Sequence, residues 1–144
     1  MQHTNTNELL PIFVIMIISG LLSTMNVFAD KWDDVRFWSL NDFYMTFLMT
    51  GWMFLLMGLY YSSNIQKIIG LILVIISLYC IRTQLFMDVG QYIKGMIPHH
   101  SMAVFTSKKL LERNDKLSDT QRQFATKIIE GQNSEIDWMK TQEK

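Results

Sequence analysis

The segment GMIPHHSM, residues 95–102, sets two adjacent histidines directly after a proline, with a methionine on either side. A helix turns by about 100° per residue. With Met96 as the reference, His100 falls at about +40° and His99 at about −60°. Met96, His99 and His100 then share one side, and Met102 is reached from His99 by a three-residue step. Imidazole and thioether donors together suit a soft monovalent ion, Cu(I) or Ag(I), better than a hard cation. The plainer alternative is one histidine hydrogen-bonded in a core and the other facing water.

A second group lies further along the chain. Gln132, Glu135 and Met139 follow three- and four-residue steps. Gln132 is polar within an apolar stripe, so it needs a partner if buried, and a hydrogen bond that orients a histidine ligand would supply one. Glu135 suits the same supporting role, and Met139 offers another thioether. Core packing for Met139 and a solvated face for Glu135 are the ordinary alternatives.

Methionine is abundant, at 11 of 144 residues. Met45, Met49, Met53 and Met57 recur at every fourth position and form one slanting stripe on a helix. The stripe reads either as flexible filler at a helix interface or as a thioether ladder for a soft cation. Enzymatic readings find little. There is no His-Glu-x-x-His pair, no Glu-x-x-His for a di-iron bundle and no glycine-rich phosphate loop. The single cysteine, Cys80, has no adjacent base and excludes a disulfide framework. The expectation is a protein that is not an enzyme. Its 13 Lys+Arg balance 13 Asp+Glu, so no basic patch points to nucleic acid.

The elements that must position these residues are helical throughout. Residues 9–29 and 43–61 carry no charge, and residues 68–81 lie between Lys67 and Arg82. These predict three transmembrane helices over about 9–29, 42–61 and 66–87, the third reaching spanning length if its flanking charges snorkel. The first is read as an anchor rather than a cleaved leader, because the segment before it has no Lys or Arg. The connection DKWDDVRFWSLND carries acids and aromatics that favour a membrane interface, with Ser39 or Asn41 capping the second helix. The turn SSNIQ makes the second and third spans an antiparallel hairpin.

Residues 88–144 form a second domain after the membrane domain 1–87. Val89, Tyr92, Ile93, Met96, Ile97, His100, Ala103, Val104 and Leu111 give one amphipathic helix, with Pro98 kinking it or starting a new one. ERNDKLSD, residues 112–119, is the turn, and Ser118 with Gln121 predicts a capping box for a last helix to about residue 142. Two helices of this size bury too little apolar surface alone. Pairing with a second copy, with its own membrane helices or with a partner subunit is therefore expected.

The blocks YIKGMIPHHSMAVFTSKKL and FATKIIEGQNSEIDWM, with Tyr92, Met96, Ile97, Pro98, His99, His100, Ala103 and Val104 in the first and Ala125, Ile128, Gln132, Glu135, Ile136 and Met139 in the second, resemble the family called domain of unknown function 305. Together with NDFYMTFLMTGWMFLLM, they look like a membrane-anchored branch of it found among bacterial metal-resistance genes. The resemblance implies a ferritin-like helical bundle and Cu or Ag binding through Met and His. Many members carry the helix pair twice; one copy here strengthens the expectation of a homo-oligomer. The functional expectation is a copper- or silver-binding protein of a bacterial inner membrane, for metal tolerance or delivery. The alternative is a non-catalytic accessory subunit of a membrane complex. Loop charges put the C-terminal domain in the cytoplasm, whereas the family resemblance implies the periplasm.

Overall fold

The computed structural model describes residues 6–113 and 116–143. Among them the protein is all-α: α1 (Thr6–Leu22), α2 (Leu40–Tyr60), α3 (Asn64–Thr83), α4 (Val89–Arg113) and α5 (Asp119–Gln142), with two 3₁₀ turns at Met25–Phe28 and Trp32–Asp34. Three stretches, Glu8–Phe28, Leu40–Tyr60 and Asn64–Thr83, are long and apolar enough to cross a membrane. Two compact units result. One joins residues 1–24 to 40–87, and the other joins 25–39 to 88–144.

In the first unit, α2 and α3 form the antiparallel pair expected from the short SSNIQ turn. Ser63 caps α3, its side chain accepting from the Gln66 N–H. The pair packs through glycines. A Cβ on Gly58 would lie 2.6 Å from Lys67 N, one on Gly51 2.9 Å from Val74 N, and one on Gly70 would fall on Leu55 N. Small residues of this kind let membrane helices approach until backbone meets backbone. Helix α1 joins α2 where Gly20 meets Thr46 and where Phe13 stands edge-on to Phe54, ring centroids 5.9 Å apart.

Two helix ends differ from the sequence expectation. The α-helix of the first span stops at Leu22 rather than near residue 29, and a 3₁₀ turn follows. The third stops at Thr83 rather than 87, because Gln84 takes a left-handed conformation (φ 48°) and returns its N–H to Cys80 O. Such a left-handed residue is the usual way to close a helix and to satisfy its last carbonyls. The Tyr44 hydroxyl donates to the freed Leu85 carbonyl.

In the second unit, α4 and α5 form a hairpin. The Ser118–Gln121 capping box forms in both directions, as the spacing predicted. Of the expected turn, Asn114 and Asp115 lie outside the described residues. Pro98 neither starts nor ends a helix: α4 runs through it, and its ring is buried. The core is Ile93, Ile97, Val104, Ile136 and Met139, flanked by Met96 and Ile129.

The connection 25–39, of which the sequence reading assigned 25–29 to the first span and 30–39 to an interfacial segment, packs on this hairpin. Asn26 closes it, donating to Arg36 O (3.0 Å) and accepting from Arg36 N (2.8 Å). Asp34 is buried at 2% exposure. Ser101 Oγ donates to its Oδ2 (2.7 Å), and Lys140 Nζ stands 2.6 Å from its Oδ1. The same Ser101 Oγ accepts from Asp30 N at 2.8 Å. Lys108 pairs with Asp30 (2.6 Å), Lys140 also reaches Asp33, and Arg36 makes a two-bond fork to Glu143 at 2.5 Å. Burial opposes the charge on Lys140, yet its bonds to Asp33 and Asp34 raise its pKa overall.

Two outcomes are expected. Gly70→Leu should lower the thermal midpoint in detergent through an overpacking cost of about 1–3 kcal/mol or more, because the obstacle is backbone. Lys140→Met leaves the Asp34 charge buried without its cation, a change that typically costs about 3–5 kcal/mol. Trypsin should then cut after Lys31 or Arg36 several-fold faster than in the unsubstituted protein, as followed by gel and mass spectrometry.

Candidate functional site

The three consecutive residues of the motif face three surroundings. His99 is exposed. His100 turns toward α5, with its side chain 14% exposed, and Ser101 turns to the 25–39 connection with no exposure. The spread follows from about 100° per residue. The two imidazole centroids are 6.0 Å apart.

His100 Nδ1 lies 2.9 Å from Glu135 Oε2, an ion-pair distance whose angle departs from that of a hydrogen bond. The Gln132 amide donates to the same Oε2 at 3.2 Å. Gln132 therefore acts on Glu135, and Glu135 is the group that touches the histidine. Burial holds the His100 pKa below that of a free imidazole; Glu135 pulls it up and His99 pulls it down. The ring is thus biased to the neutral form, which is the form that binds a metal.

The remaining candidates are dispersed. Met96 is partly buried and packs against the core cluster, while Met139 sits inside it at 4% exposure. Met102 is partly buried. Among the described residues, no three His, Cys, Asp or Glu side chains gather as a metal cluster. In the other unit, Met45, Met49 and Met53 are 56%, 43% and 45% exposed, so the stripe faces outward rather than filling the α2–α3 seam. Met57 is half-buried and Cys80 partly so.

Ser101, Asp34, Lys140 and Asn26 escaped the sequence reading. Each is an unremarkable polar residue in one dimension, and their partners lie far along the chain: Ser101 and Asp34 are separated by 67 positions. The one legible hint was the concentration of acids at residues 30–34 in a segment otherwise suited to an interface.

The His100 environment has a pH consequence. A base with a depressed native pKa binds fewer protons folded than unfolded, so its contribution to stability is complete above the ordinary imidazole value of 6.5 and is lost as pH falls through the native pKa. His100→Gln should flatten the fall in thermal midpoint between pH 7.5 and about 5. Glu135→Gln should steepen it, since the carboxylate that favours the imidazolium is gone.

The model for the family described as Domain of unknown function (DUF305) matches residues 87–142. The chain is 41% identical over 140 residues to a protein named Uncharacterized protein L153 of Acanthamoeba polyphaga mimivirus, covering 94% of this chain and 90% of that one. No solved structure matches. The matched segment coincides with α4 and α5, and the resemblance to the viral protein runs on through the three apolar helices: the chain belongs to the DUF305 family.

Proposed function

We propose that the protein is a membrane-anchored binder of a soft monovalent metal, Cu(I) or Ag(I), serving metal tolerance or delivery. The observation that carries the reading is the relay from Gln132 to Glu135 to His100. A carboxylate 2.9 Å from one imidazole nitrogen, itself accepting from an amide, stands where it can orient a ligating histidine and leave the other nitrogen for metal. His100 is the central donor, with Met96 and His99 beside it on α4 and Met102 auxiliary. Met139 serves packing in this arrangement, because it lies among Ile97, Val104 and Ile136. The metal contributes the soft Lewis acid; the chain contributes an oriented neutral imidazole and thioethers.

Three spans put the connection 25–39 and the hairpin on one side of the bilayer. That side holds Lys31, Arg36, Lys94, Lys108 and Lys109 against Lys67 on the other, a bias that supports reading it as the cytoplasmic side of a bacterial inner membrane. A second reading, an accessory subunit of a membrane complex, is favoured by the same His100–Glu135 contact if it serves only to join α4 to α5. It predicts thermal stability that is unchanged by copper or by a copper chelator.

Competition with a chromophoric Cu(I) chelator, in detergent and under reducing conditions, separates the two. Stoichiometric uptake is expected. Loss of Glu135 in the Gln variant should weaken it by about tenfold or more, the usual cost of removing a group that orients a ligand. Uptake by the His99→Ala/His100→Ala double variant equal to that of the unsubstituted chain, or no uptake by either, overturns the proposal.

A further inference from the structure

The outer face of α5 carries a glycine for which its own chain has no use. Gly131 lies in the middle of a 24-residue helix, and a Cβ built there meets nothing within 4 Å. Glycine is the poorest helix former after proline, so an interior position normally keeps it only for a turn or a close approach. Neither exists among the described residues. One heptad to each side stand Phe124, 66% exposed, and Trp138, 61% exposed. Steps of seven residues put Phe124, Gly131 and Trp138 within about 20° of one line along the helix.

We infer that this line is where a second copy of the chain packs, α5 against α5 and antiparallel, with the two Gly131 positions crossing. The charges select both the occupant and its direction. About a twofold axis through Gly131, residue positions exchange symmetrically, so Phe124 meets the partner's Trp138. Lys127 reaches the level of the partner's Glu135, four residues to either side of the crossing. Both are exposed in one chain. A parallel pair in register instead opposes Lys127 to Lys127 and Glu135 to Glu135, which repels. A closed twofold contact uses one patch twice and needs no other protein. The aromatic residues anchor it, and glycine lets the helix axes come close.

The partner also reaches the histidine site. Glu135 lies 2.9 Å from His100 Nδ1, so the partner's Lys127 completes the surroundings of the carboxylate that orients the imidazole. The pairing does not rest on metal binding. A dimer that takes up no copper leaves it intact and overturns only the functional reading.

The test uses the full chain in detergent, free of metal, with mass measured by light scattering across a dilution series. Gly131→Leu is the informative variant, because its side chain has open space within its own chain and lost pairing cannot be blamed on misfolding. The expected result is a dimer whose dissociation constant rises by about tenfold or more in Gly131→Leu and in Trp138→Lys, with helical content unchanged. In a Cys80→Ser background, Lys127→Cys chains mixed with Glu135→Cys chains should form a mixed disulfide faster than either forms with itself. A monomer at every concentration, a Gly131→Leu dimer as tight as the unsubstituted one, or preferential Lys127→Cys self-linkage overturns the proposal. So does quenching by brominated lipid in a variant that keeps Trp138 as its single tryptophan (Trp32, Trp38 and Trp52 changed to Phe), which would make that face a lipid contact.

Discussion

The second unit depends on a buried carboxylate. The α4–α5 core contains five buried apolar residues, two of them isoleucines on α4 and one on α5. That is little for a free-standing hairpin, since small units bury too small a fraction of their surface to offset chain entropy. Asp34 changes the balance. A charge at 2% exposure is tolerable only while its oxygens are matched, and here a hydroxyl of α4 and an ammonium of α5 match them together. One side chain of the connection therefore fixes both helices. The Lys108–Asp30 and Arg36–Glu143 pairs lie nearer the surface and add less each, as partly solvated ion pairs do.

This placement couples the clamp to the histidines. Ser101 follows His100 directly, so the serine that holds Asp34 and the histidine that faces Glu135 are consecutive on one helix. A shift of α4 along its axis disturbs both at once. The metal reading thus gains a rigid mount: the backbone at residues 100–101 is held from the connection on one side and from α5 on the other. Sites built on packed helices keep donor geometry better than sites on loops.

The first unit, whose helices are apolar enough to cross a membrane, rests on a different constraint. Lipid offers no hydrophobic drive for helices to associate, so close backbone packing must do it. Gly51, Gly58 and Gly70 meet that need by bringing backbone atoms of α2 and α3 together. The methionine stripe lies off this seam, with Met45, Met49 and Met53 exposed in the single chain.

Local chemistry was legible in the sequence wherever it acted within a few residues. Uncharged runs marked three spans, the short SSNIQ turn marked an antiparallel pair, and Ser118 with Gln121 marked the start of α5, because hydropathy and capping work over one or two helical turns. Helical spacing also brought Gln132, Glu135 and His100 toward one seam. It did not say that Glu135 touches His100 while His99 faces outward, since that depends on how two helices rotate against each other. Nor did it say that Pro98 sits within an unbroken helix or that Gln84 ends the third span early. Above all, the sequence by itself determined an all-α chain with three apolar spans and a polar hairpin bearing a histidine pair. Only the tertiary structure decided that residues 25–39 join that hairpin, because Asp34 meets Ser101 and Lys140 across intervals that no local periodicity encodes.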